Sequence, residues 1–332
     1  MKERIKWLDV AKAIGIFLVY LCHFNSAGRG YTFSHTCSVQ FFFFISGCAE
    51  NLSKEENALK YIFKKFKTVL VPAYFFALLS VAVHVIEYNL DYATVQHTLI
   101  LIAYGMIRNA FFAQTLWFLT CLFVMQIMFF FIKKLGNKFV ILGVALSLYI
   151  FYVRFLPLLK TSEVGWSYNA DYALYYMIYY AIGYVAYPYI VELFKLDTFK
   201  RKIVFGVSGT ASLYYTLRFF FGVDLYSSIP WPSVAYYFTP ILVTGTIIWA
   251  CMIVARVMQD VKGLDEIGKN TLYLCGNEWI VKTLVVHFFA IFGIGIGFYS
   301  PIQMYIYIGI LLIVVCKFLT PIEKYILKKI VG

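Results

Sequence analysis

The stretch Asp9-Val-Ala-Lys12-Ala-Ile-Gly-Ile-Phe-Leu-Val-Tyr-Leu-Cys-His23 is apolar enough to enter a membrane, yet it carries three ionisable side chains. Read as a helix, the eleven steps from Lys12 to His23 turn through three full circles plus about 20°. The two side chains therefore fall on one face, about 16 Å apart along the axis. Asp9 lies one turn before Lys12, on the same face. Charged groups in apolar spans are costly and face a bundle interior or an aqueous cavity. The spacing predicts a helix with one polar stripe that the rest of the chain must enclose.

Composition sets the solvent. Of 332 residues, 62% are hydrophobic and 14% charged. No soluble interior of this size could hold so much apolar surface, so lipid is the expected surrounding. Apolar runs of about 20 residues without alternation exclude a barrel and predict an all-α, polytopic membrane protein. Ten segments stand out, near 8–25, 38–52, 68–88, 112–132, 139–156, 171–190, 203–221, 234–257, 270–293 and 299–319. A shorter apolar piece near 98–107 reads as an interfacial or re-entrant helix. Asp9 and Lys12 break the first run too early for a cleaved leader. The loops leave no room for a soluble domain, so one membrane domain over 1–332 is expected.

Charge placement orients the spans. With the N-terminus in the cytoplasm, only Arg29, Arg108, Arg154, Lys160 and Arg218 lie on the far side, and Lys12 and Lys282 lie within spans. Every other lysine and arginine, from Lys2 and Arg4 to Lys329, falls on the cytoplasmic side, as the positive-inside rule requires. Both termini are then cytoplasmic. The net charge of +12 is accounted for without nucleic acid. Seven cysteines, none in a C-x-x-C pair and most inside apolar runs, read as small buried side chains. No metal-ligand set is expected.

Five elements can carry chemistry. His23 is a candidate general base near neutral pH. Gln40-Phe-Phe-Phe-Phe-Ile-Ser46-Gly47 ends in a small polar pair that lets helices approach closely and lets Ser46 reach across. Lys64-Lys65-Phe-Lys67, just before a span beginning at Pro72, is a candidate phosphate site or a topology anchor. Leu116-Trp117-Phe118-Leu119 places a tryptophan at the outer end of a span. Gly268-Lys-Asn270-Thr-Leu leads into Asn277-Glu278 and Lys282, where Glu278 and Lys282 are four apart and can pair. Trp166, Tyr168, Tyr226 and Trp231, on outer loops, can stack on sugars or anchor the interface.

Taken in order, these elements resemble the integral-membrane acyltransferases of the acyltransferase-3 type, nearest the fucose 4-O-acetylase-like branch. The resemblance covers nearly the whole chain. Its most specific part is a basic residue eleven positions before a histidine, met by Lys12 and His23. This chain has lysine where the family often has arginine, and Asn277-Glu278 where many members carry a histidine. The resemblance implies transfer of an acyl group, usually acetyl from acetyl-CoA as co-substrate, to a hydroxyl of a cell-envelope or exported carbohydrate. His23 would act as general base or as transient acyl carrier, with Lys12 and Asp9 as its partners in the catalytic stripe. Lys64, Lys65 and Lys67 would bind the donor. Ser46, Trp117, Asn270, Asn277 and Glu278 would line the substrate cavity. The competing reading is a transporter or flippase of a lipid-linked glycan in the cell membrane.

Overall fold

Among the described residues, six helices start from a polar side chain at the end of the preceding loop. Asn57, Asp91, Asn137, Thr198, Ser233 and Ser300 each accept a backbone N–H from the first turn that follows. Such caps satisfy donors that would otherwise be orphaned at a helix start. The computed structural model describes residues 5–110, 113–156, 165–222 and 233–331. Lys2, Arg4, Lys160, Tyr226 and Trp231 lie outside them. Among the described residues there is no strand.

The helices are α1 (Lys6–Leu21), α2 (Arg29–Asn51), α3 (Ala58–Lys65), α4 (Val71–Tyr88), α5 (Tyr92–Ala103), α6 (Trp117–Ile132) and α7 (Lys138–Arg154). They continue as α8 (Ala170–Phe194), α9 (Phe199–Phe220), α10 (Val234–Val257), α11 (Leu264–Lys269), α12 (Thr271–Ile291), α13 (Pro301–Ile313) and α14 (Thr320–Val331). Each of the ten expected apolar segments coincides with a helix. Among the described residues, six helical stretches are long and apolar enough to cross a membrane, including the continuous runs Ala58–Tyr88 and Pro301–Val331. Of the other four, α1 and α7 are shorter, with 16 and 17 residues, and α2 and α9 are more polar. The piece near 98–107 falls on α5, whose 12 residues extend about 18 Å, too short to span.

Both long runs contain a turn of π-helix just before a proline. Phe66–Leu70 precedes Pro72, and Val314–Leu319 precedes Pro321. A proline ring clashes with the carbonyl four residues back and removes one donor. Widening the preceding turn lets the helix continue past it. At 31 residues each, these runs extend about 46 Å, well beyond a hydrocarbon core of about 30 Å. Their overhanging ends carry the lysines.

The chain forms two compact units, one from Met1–Ser53 with Tyr179–Thr271, the other from Lys54–Ile178 with Leu272–Gly332. In the first, α2 and α8 cross at two glycines. A Cβ on Gly47 would overlap the Tyr180 carbonyl, and one on Gly183 would overlap the Phe44 carbonyl. Cys48 donates its thiol to the Gly183 carbonyl at 3.3 Å and Asn51 donates to the Tyr184 carbonyl at 3.0 Å. This is the small-residue contact by which helices associate where water provides no drive. Lys6 pairs with Asp260 at 3.1 Å, and Arg256 donates to the Phe194 carbonyl at 3.0 Å. The N-terminus, the α8–α9 turn and the end of α10 therefore meet at one end of this unit.

The second unit repeats the pattern. Lys67 donates to the Val331 carbonyl, 2.5 Å away. Lys65 and Lys133 both lie over the Tyr61 ring, at 5.0 and 5.1 Å. Three basic segments thus share one end. Valine at Gly47 should cut the yield of monodisperse detergent-extracted protein several-fold and lower its melting temperature, because it strikes backbone. Valine at Gly143, where a Cβ meets open space, should leave both unchanged. Equal stability of the two variants would refute the crossing.

Candidate active site

In the first unit the stripe on α1 is partly as expected. Lys12 donates to Asp9 Oδ1 at 3.1 Å, three residues apart. The Asp9 side chain is only 4% exposed, whereas Lys12 retains 28%. The pair is therefore buried at its anionic end and open at its cationic end. Helix α1 stops at Leu21, and Cys22 and His23 form the turn beyond it. His23 is exposed, and its backbone N–H is held by the Tyr20 carbonyl at 3.1 Å. The eleven-residue interval is thus helical except for its last two positions, because the chain turns there to enter α2. Beside it, Ser38 donates to Cys22 Sγ at 3.9 Å.

The segment Gly268-Lys-Asn270-Thr271 belongs to the same neighbourhood, a juxtaposition that sequence spacing could not reveal. Helix α11 packs on α1, and a Cβ on Gly268 would overlap the Asp9 carbonyl. Asp265 and Lys269, four apart, are ion-paired on α11. The ammonium holds the Asp265 carboxyl below its ordinary range. Asn270 caps the end of α11 and is buried. Ser46 is half-buried on α2, next to the Gly47 crossing.

The remaining expected residues lie in the second unit. Lys64 is exposed, whereas Lys65 and Lys67 are half-buried, stacked over Tyr61 and over Phe63 at 4.9 Å. Lys67 sits in the π-turn, a feature that often marks functional positions. Its bond to Val331 commits it to the C-terminal helix. Trp117 opens α6 and packs against Tyr172 at 5.2 Å. Arg108 stacks over Tyr172 at 4.2 Å and over Trp117 at 6.0 Å. Asn169 donates to Thr120 Oγ1 at 2.8 Å, fixing the start of α8 against α6. Arg108 and Tyr172 were invisible as partners of Trp117 in the sequence, 9 and 55 positions away. Of the outer aromatics, Trp166 is exposed and Tyr168 donates its backbone N–H to the Gly105 carbonyl at 2.8 Å.

Asn277 and Glu278 are buried on α12, held there by Gly276, where a Cβ would overlap the Phe76 ring. Asn277 donates through Nδ2 to Glu323 at 2.9 Å and to the Tyr273 carbonyl at 2.9 Å. The Glu278 carbonyl accepts the Tyr307 hydroxyl at 2.8 Å. Lys282 lies over Trp279 at 5.0 Å and over Phe298 at 5.5 Å.

A second polar set on α4 and α12 escaped sequence reading. His84 is buried, with Nδ1 2.6 Å from the Ser80 carbonyl and Nε2 3.1 Å from Thr283 Oγ1. Nδ1 must donate, so Nε2 accepts the threonine hydroxyl. Farther along, His287 Nδ1 lies 2.6 Å from Glu87. The spacings Ser80–His84 and Thr283–His287, each four residues, are the signal that could have exposed this ladder.

A family model described as an acyltransferase domain matches residues 5–321. No curated protein and no solved structure matches. The match takes in every residue placed above except those of the final helical turns.

Replacing Asn277 by alanine leaves a buried carboxylate without its amide donor and should destabilise the protein by about 1–3 kcal/mol. In a double-mutant cycle with Glu323→Ala, melted in detergent, the two losses should fall short of additivity by about 0.5–3 kcal/mol. Strict additivity would show that the 2.9 Å contact carries no energy.

Proposed function

Because the chain belongs to the acyltransferase family and is a multi-pass membrane acyltransferase, we propose that it transfers an acetyl group from acetyl-CoA to a hydroxyl of a cell-envelope or exported carbohydrate. The observation that carries this reading is the wall of α1. A buried carboxylate fixes Lys12 there, and the helix ends directly before an exposed imidazole. In this reading α1 supplies the placed cation, and the turn beyond it, about 16 Å farther along the axis, supplies the base.

In this proposal the ends where the basic loops gather are cytoplasmic, with ten spans and both termini inside, as the positive-inside rule implies. Acetyl-CoA arrives from that side, and its phosphates meet Lys64, Lys65 and Lys67 as point charges. His23 takes the proton of the acceptor hydroxyl. The oxygen attacks the thioester carbonyl, the carbon–sulfur bond breaks, and the departing thiolate receives the proton from the imidazolium. In the second form of the mechanism, His23 itself attacks the thioester, the carbon–sulfur bond breaks, the thiolate leaves with the ring N–H proton, and the acyl-imidazole passes its acyl group to the hydroxyl while the ring takes that hydroxyl's proton. Asp9 keeps Lys12 oriented in both. Ser46 and Asn270 in the first unit, and Trp117, Asn277 and Glu278 in the second, are each proposed to contact substrate. The place of this chain in the fucose 4-O-acetylase-like branch is likewise part of the proposal. A transporter of a lipid-linked glycan is not favoured, since the family is one of transferases.

His23→Ala should abolish incorporation of labelled acetyl from acetyl-CoA into surface glycan, with melting temperature and membrane yield unchanged. Lys64→Gln with Lys65→Gln should raise the KM for acetyl-CoA several-fold at nearly constant kcat. Full activity of the histidine variant would remove it from the reaction, and transport of a glycan without any gain in its mass would overturn the transferase reading.

A further inference from the structure

The first unit contains an apolar hollow that the proposed chemistry does not use. It lies between the second half of α8 and α10, with Phe44 of α2 behind it, and its volume is about 310 Å³. Ile182, Ala186 and Ile190 line one wall, and Ile241, Gly245 and Ile248 the other. Gly245 is exposed, and a Cβ built on it meets open space, so the hollow opens at this residue. With almost no polar lining, it offers water no partners, and a water filling it would cost free energy. In a bilayer the filling available is hydrocarbon.

One end of the hollow is chemically distinct. Phe194 stacks on Trp249 at 5.8 Å and closes it. Just beyond, Arg256 gives one N–H to the Phe194 carbonyl at 3.0 Å, a bond that engages one of its five donors. In the adjoining α8–α9 turn, Glu192 and Asp197 are neutralised by Lys195 and Arg201. Arg201 holds the Asp197 carboxyl below its ordinary range. With Lys200, Lys202 and Arg256 added, the described residues of this turn and of the end of α10 carry a net positive charge. We propose that the hollow is a binding site for an anionic phospholipid, with one acyl chain between α8 and α10 and its phosphate on Arg256 and the basic turn. Basic groups at helix ends are the usual partners of anionic headgroups.

The test uses the full chain reconstituted in vesicles of equal parts phosphatidylcholine and phosphatidylglycerol, extracted in detergent and weighed by native mass spectrometry. Wild type and Gly143→Leu should each retain one phospholipid, enriched in phosphatidylglycerol. Gly245→Leu, whose Cβ enters open space at the opening, should retain several-fold less at unchanged melting temperature. If that variant does not fold, Ala186→Leu narrows the same hollow from α8. Arg256→Gln should still retain a lipid but without preference between headgroups. Undiminished retention by the hollow-filling variant, a wild-type adduct of detergent alone, or a preference that survives Arg256→Gln would each overturn the site.

Discussion

A carboxylate inside an apolar bundle must find a cation, and Asp9 governs much of what surrounds it. Its side chain is nearly sealed from solvent, and Lys12 is its neighbour one turn on. A fully buried charge stripped of its partner costs about 3–5 kcal/mol. The partial exposure of Lys12 lowers that figure here by screening. The carbonyl of the same residue is overlain by α11, which approaches so closely that position 268 has no room for a side chain. One residue therefore fixes both the cation on α1 and the packing of the segment Gly268–Thr271. Two of the ordered pieces that resemble the acyltransferase family, the stripe on α1 and the segment Gly268–Thr271, are in this respect one physical object.

The same economy appears wherever helices meet. Lipid tails are as apolar as leucine, so helices gain little by hiding apolar faces from them. They gain by close approach and by satisfying buried polar groups. Gly47 and Gly183 bring two backbones together, and the Cys48 and Asn51 side chains then reach carbonyls of the opposite helix. Gly276 does the same beside Phe76, and Asn277 next to it spans to Glu323.

What could be read without coordinates follows from this. Length and hydropathy foretell an all-helical membrane protein, and every expected apolar segment overlaps a helix among the described residues. The Asp9–Lys12 contact was legible because both partners share a helix turn. Contacts between distant segments were not, since no local rule connects residue 9 to residue 268 or residue 277 to residue 323. The end of α1 was also misjudged in detail. The apolar run continues to residue 25, but the chain turns at Cys22, and hydropathy does not register a turn. The π-turn at Phe66–Leu70 was hidden for a different reason. Pro72 announces a disturbance in the helix, but whether it ends, kinks or widens depends on packing.

That widened turn bears on the proposed donor site. A regular helix would space Lys64, Lys65 and Lys67 around its circumference at about 100° per residue. Adding one residue to the turn shifts the phase of everything before it relative to α4. The lysine-bearing end thus faces its own direction while α4 keeps its Ala73 and Phe76 in the apolar core. Tyr61 and Phe63 lie under two of these lysines and hold their stems down. Lysine lacks the planar fork by which arginine grips a phosphate. A set of ammonium groups steadied on aromatic rings restores some of that order without the fork, and it does so on a stretch of helix long enough to stand clear of the hydrocarbon.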